Sequence, residues 1–160
     1  MRSSLILIAA FLLLSGFKVS EQDPSLGQPM DERKAQDALP KSNDVQWKLL
    51  TKTKVKLDEK QGMYSATYPA EVKALAGKPF TISGFILPLD ATEKFSHFIL
   101  SKRTPTCAYC PPGEPNEIID VWLEKPIKYD ENLVKITGTF ELINNQEMGM
   151  FFKLAKARRE

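Results

Sequence analysis

Histidine occurs once in this chain of 160 residues and cysteine twice. That scarcity removes whole classes of chemistry. A His-Glu-x-x-His metal helix needs a second histidine, and an all-cysteine zinc site needs more thiols than the chain holds. There is no Gly-x-Ser-x-Gly elbow and no phosphate-cradling glycine loop, and no spacing marks out a pair among the scattered acidic residues. Net charge is scarce as well. Arg2 and Lys18 supply the whole formal excess of +2, so residues 21–160 are neutral in sum. A nucleic-acid partner calls for clustered surplus Lys and Arg, and the basic ending Lys153, Lys156, Arg158 and Arg159 is too short to provide it. Nor is any apolar run as long as the roughly 20 residues of a membrane helix.

The longest apolar run, residues 5–14, follows a positive start at Met1-Arg2 and precedes the small pair Ser15-Gly16. Its length is that of a signal-peptide core. Residues 1–20 therefore read as a signal peptide, with cleavage near Gly16 or Ser20 and an uncleaved anchor as the alternative. Leu14-Ser15-Gly16 has the look of a lipoprotein box, but Phe17 stands where the lipidated cysteine belongs. The expected location is periplasmic or secreted, with no membrane span once the signal is removed. Residues 21–43 hold three prolines, many charges and few large apolar side chains, which is the composition of a flexible linker.

The folded domain is expected over residues 44–160, where hydrophobic content (42% overall) suffices for one core. Val45, Trp47 and Leu49 alternate with Gln46 and Lys48 and predict a half-buried strand. Val55 and Leu57 predict a second. Residues 69–76 read as a short helix, opened by Pro69 and closed by Gly77. Strands follow over 80–87, with Gly84 at a bend, then over 95–100, 119–123, 134–142 and 150–154, with a turn at Asn144-Asn145. Ile119, Val121 and Leu123 share one face of their strand, and Asp120 and Trp122 the other. The fold class is mainly β: a small antiparallel OB-like barrel with one short helix.

Between the strands at 95–100 and 119–123 lies the stretch that carries both cysteines, Cys107-Ala-Tyr109-Cys110-Pro111-Pro112-Gly-Glu114-Pro-Asn116. Three uses of Cys-x-x-Cys stay open. A Cys107–Cys110 disulfide would fix the shape of the loop while constraining the unfolded chain little. A metal site would take both thiolates, His97 from the preceding strand and an oxygen from Glu114, Glu117 or Asp120 for zinc. For Cu(I) it would add a thioether from Met148 or Met150. Without ligation, His97 is a half-buried strand residue beside Phe95 and Ile99, and the methionines fill the core or its rim. Thiol–disulfide exchange needs the first cysteine at a helix N-terminus, and four helix-breaking residues follow within five positions. The prolines, Tyr109, Glu114 and Asn116 also suit a rigid loop that loses little entropy on binding a ligand or partner. The function expected is a non-catalytic binding or accessory role. A thiol–disulfide redox protein or a purely structural domain is the alternative.

The sequence resembles a family of exported bacterial proteins known as domain of unknown function 3299. The likeness runs from about residue 45 to 156, through Gly77-Lys78, the segment Ile82-Ser-Gly-Phe-Ile-Leu-Pro-Leu89, a Phe-rich strand and the block 107–119. Cys107 matches the family's cysteine, Pro111 and Pro112 its proline run, and Asn116 its asparagine. The chain departs from the commoner pattern with Tyr109 where a histidine often stands, and with Cys110 as a second thiol. The resemblance implies an OB-like periplasmic or secreted protein. As partner it implies an envelope or ABC-type transport component connected with metals.

Overall fold

A computed structural model describes residues 34, 37–106 and 112–160. Residues 1–33, with the proposed signal, lie outside the described residues, as do Cys107, Tyr109, Cys110 and Pro111 of the loop. Helix α1 is Val45–Leu50 and α2 is Ala70–Lys73; the strands are β1 Lys54–Asp58, β2 Met63–Thr67, β3 Pro79–Pro88, β4 Lys94–Ser101, β5 Ile118–Lys128, β6 Val134–Asn145 and β7 Met150–Arg159. A 3-10 turn, Pro115–Glu117, leads into β5.

Strands β3 to β7 close a barrel in the order β3-β4-β5-β7-β6. Every neighbouring pair is antiparallel except β5 and β7, which run parallel. Counted within the barrel the order is first, second, third, fifth, fourth, the Greek-key path of an OB barrel. Strand alternation sends Ile82, Phe98, Leu100, Ile119, Val121, Ile136, Phe140, Phe152 and Leu154 inward, all fully buried. Phe80 and Phe152 pack against Phe140 with ring centroids 4.9 and 5.7 Å away. The hairpin β1–β2 forms a separate two-stranded sheet. Among the described residues no helix is long and apolar enough to cross a membrane.

The expected strand at Val45–Leu49 is a helix instead. Asp44 caps it, its Oδ1 accepting from the Gln46 backbone N–H at 3.0 Å, while its Oδ2 accepts from Ser83 N–H of β3 at 2.8 Å. Trp47 and Leu50, three apart, are the buried pair, and Val45 is 66% exposed. The Trp47 indole N–H donates to the Ser83 carbonyl at 2.8 Å. The alternation is real but the burial follows helical spacing, because the cap and the Trp47 anchor fix the segment against Ser83 in the middle of β3. Among the described residues of the expected domain two short helices, α1 and α2, thus stand where one was expected. The turn expected at Asn144-Asn145 falls at residues 146–149, since β6 runs on through Asn145.

Chain ahead of α1 also meets the barrel. Ser42 is 3% exposed, its hydroxyl donating to the Ser83 carbonyl at 2.6 Å and its backbone N–H to Lys102 O at 2.8 Å.

Gly84 stands where β3 passes from pairing with β6 to pairing with β4, and its lack of a side chain is required. A Cβ there would sit 2.7 Å from the Ser101 carbonyl oxygen and 2.8 Å from Leu100 Cγ. Gly84→Ala is expected to lower unfolding stability by about 1–3 kcal/mol, read from the urea midpoint. An unchanged midpoint would show that β3 and β4 do not approach so closely.

Candidate functional site

The segment between β4 and β5, residues 102–117, is closed at its base by one carboxylate. Glu117 is 6% exposed and receives Lys102 Nζ on Oε1 at 2.8 Å and Arg103 Nε on Oε2 at 2.6 Å. The Lys102 backbone N–H donates to the Glu117 carbonyl at 3.0 Å, so the two ends of the segment are bonded through main chain and side chains alike. Burial pushes the Glu117 carboxyl up, but the bonds and charges of Arg103 and Lys102 outweigh it and hold the group below its ordinary 4.5. Arg103 is shifted up, chiefly by its bond to Glu117. Its Nη1 also donates to Asp37 Oδ1, and Asp37 takes Lys41 Nζ at 2.7 Å. Thr104 Oγ1 donates to Pro40 O at 2.7 Å. Residues 37–42 therefore lie along the outgoing limb of the loop.

The returning limb is held as firmly. Pro112 is buried. Gly113 passes so close to Glu117 that a Cβ would stand 3.0 Å from Oε2. Glu114 and Glu117 form a capping box around the 3-10 turn, with Pro115 in its first position. Asn116 Nδ2 donates to Thr53 O at 2.9 Å and Thr51 O at 3.3 Å, fixing the loop to the carbonyls that follow α1. Residues 112–114 are not helical, and the three-residue turn separates them from β5.

His97 is placed apart from this network, on the outer face of β4 with Asp120 and Trp122 of β5. Its Nε2 lies 2.6 Å from Asp120 Oδ1, and its ring stacks on Trp122 at 3.9 Å between centroids and 22° between planes. The Trp122 indole N–H donates to Asp120 Oδ2 at 2.9 Å. Among the described residues no group of three or more His, Cys, Asp and Glu is arranged to hold a metal ion. The structure thus brings Pro112, Glu114 and Asn116 together around the loop base and sets His97 with Asp120, while Cys107, Tyr109, Cys110 and Pro111 lie outside the described residues. Met148 is exposed in the turn before β7, and Met150 packs against Leu87, Ile99 and Ile118. Sequence reading missed Lys102 and Arg103. Their only signal was adjacency to the loop and the acidic Glu117 at its far end.

The family described as "Protein of unknown function (DUF3299)" matches residues 21–153. A crystal structure of a DUF3299 family protein from Pseudomonas aeruginosa PAO1 is similar at 25% identity, over 60% of this chain and 68% of that one, with a TM-score of 0.48. No curated protein matches.

Glu117→Gln removes the charge that Lys102 and Arg103 share. At neutral pH it is expected to cost about 2 kcal/mol of stability. Because the folded value is depressed, the wild-type advantage is complete above about pH 4.5 and is lost as pH falls through the lowered value. Urea midpoints of the two proteins should converge as the pH falls through that lowered value; a gap that stays constant throughout the acid range would contradict the assignment.

Proposed function

The chain belongs to the DUF3299 family, and from that premise we propose a non-catalytic binding role. The protein is an exported accessory protein whose barrel presents Cys107 and Cys110 to a thiophilic metal ion, zinc or Cu(I), in the service of an envelope transport component. The observation that carries the reading is the closed base of the loop. Glu117, Asn116 and the Glu114 capping box fix both limbs within a few residues of the two thiols, so binding at the tip need not first order the loop. Two thiolates two residues apart suit one soft cation. His97, engaged with Asp120 and Trp122, is left out of this ligand set. The signal-like residues 1–20 and the neutral remainder support export and a partner other than nucleic acid.

Reduced protein equilibrated with zinc or Cu(I) and desalted is expected to retain about one ion per chain by elemental analysis. The Cys107→Ser/Cys110→Ser variant should retain none while melting at an unchanged temperature. Equal metal content in the two proteins would overturn the reading, as would a Cys107–Cys110 bridge in protein taken from its own compartment.

A further inference from the structure

The hairpin β1–β2 meets the barrel along β2. The Tyr64 backbone N–H donates to Gln146 O at 2.9 Å, and Tyr68, just past β2, donates from its hydroxyl to Ile143 O at 3.1 Å. The first of these bonds also fixes how β1 faces. Tyr64 is the cross-strand partner of Leu57, yet its N–H points away from β1. Leu57–Tyr64 is therefore a non-hydrogen-bonded pair, and by alternation so is Val55–Ala66. Val55 and Leu57 thus direct their N–H and C=O groups to the far side of β1. Among the described residues nothing bonds to those groups there. The edge is open to solvent, since Lys54, Lys56 and Asp58 are exposed and Leu57 is 49% exposed. Side chains alternate along it. Val55 and Leu57 lie on the face shared with Ala66 and Tyr64, and Lys54 and Lys56 lie on the other. Neither lysine is paired with a carboxylate among the described residues. Asp58, at the turn end of their face, is engaged with its own turn, its Oδ1 accepting from the Lys60 N–H at 3.0 Å.

We propose that the free edge of β1 docks an extended acidic segment of a partner protein, which adds a third strand to the hairpin. The main chain of Val55 and Leu57 supplies both donors and acceptors to such a strand. The alternation of β1 sets the sequence pattern of its guest. Acidic side chains fall beside Lys54 and Lys56, and apolar ones between them fall beside Val55 and Leu57. Charge decides between this occupant and a second copy of the chain. Two β1 edges brought together would set lysine near lysine, and that repulsion keeps the edges of like molecules apart. The same two ammonium groups attract an acidic strand. The edge begins where the cysteine loop is tied down, since Asn116 Nδ2 donates to Thr53 O at 2.9 Å, directly ahead of β1. A strand docked there stands next to the base of that loop. The inference deepens the accessory role proposed above and rests on it for the existence of an envelope partner, but not on the metal.

The probe is a peptide of about eight residues alternating glutamate and valine, with its lysine–valine counterpart as control. The glutamate peptide is expected to bind saturably with a Kd below about 1 mM, and more weakly as salt is added. Its binding should slow hydrogen exchange at the Val55 and Leu57 amides, which exchange fast in the free protein. Leu57→Pro removes one outward N–H without touching a β1–β2 bond and should weaken binding at least about tenfold. Lys54→Glu/Lys56→Glu should do the same and transfer binding to the lysine peptide. Melting curves check that both variants fold, and the charge reversal, confined to exposed side chains, carries the test should the proline variant not fold. Cys107→Ser/Cys110→Ser should bind the peptide as wild type does, so loss of metal binding and loss of peptide binding are separate results. The proposal is overturned if the glutamate peptide does not saturate, if the lysine peptide binds as well, or if the charge reversal leaves affinity unchanged. Val55 and Leu57 amides already protected in the free monomer would overturn it too. So would a dimer that protects them, in favour of a second copy.

Discussion

A single buried carboxylate organises the end of this barrel. Glu117 pays a desolvation cost, and only the two cations that leave β4 together, Lys102 and Arg103, make its charged form tenable there. In return the carboxylate joins residues fourteen and fifteen positions apart in sequence. It also sets the path of the chain nearby: Gly113 passes close enough that a Cβ there would crowd the carboxylate, and the 3-10 turn is boxed by it. The limbs on either side, residues 102–104 and 112–117, are therefore bonded to each other and to the chain ahead of β1.

The barrel places two unlike surfaces on opposite accounts of the same strands. Inward alternation on β4 and β5 fills the core with Phe98, Leu100, Ile119 and Val121. Outward alternation lines up Asp120, Trp122 and His97. Three groups of different chemistry hold one another there through a bond at 2.6 Å, a bond at 2.9 Å and a stack at 3.9 Å. The cluster needs no loop to assemble it, and so its rigidity is that of the sheet. The loop end and the sheet face are built by separate means, the first by ion pairs and caps and the second by register.

Much of the fold was legible because periodicity is a local property. Five barrel strands, the close backbone approach at Gly84 and the stop at Gly77, where φ is +75°, all follow from short-range patterns of apolar residues and glycine. The outward pairing of Asp120 with Trp122 was legible too. Val45–Leu50 was not, because Val45, Trp47 and Leu49 satisfy a strand pattern, and the helix is fixed by the Asp44 cap together with the contacts of Asp44 and Trp47 to Ser83 of β3. His97 shows a second limit. Its burial could be anticipated, but its partner lies 23 positions away and depends on the register of β4 against β5, which no local pattern encodes. Lys102 and Arg103 read as ordinary surface cations for the same reason.

Arg103 has a further implication, since its guanidinium is a fork with one tine on Glu117 and the other on Asp37. The inner carboxylate is buried and the outer one about half exposed, so the two attachments differ in strength and in sensitivity to salt. Added salt therefore weakens the hold on Asp37 more than the hold on Glu117, so the guanidinium grips the chain ahead of α1 less firmly than it grips the base of its own loop.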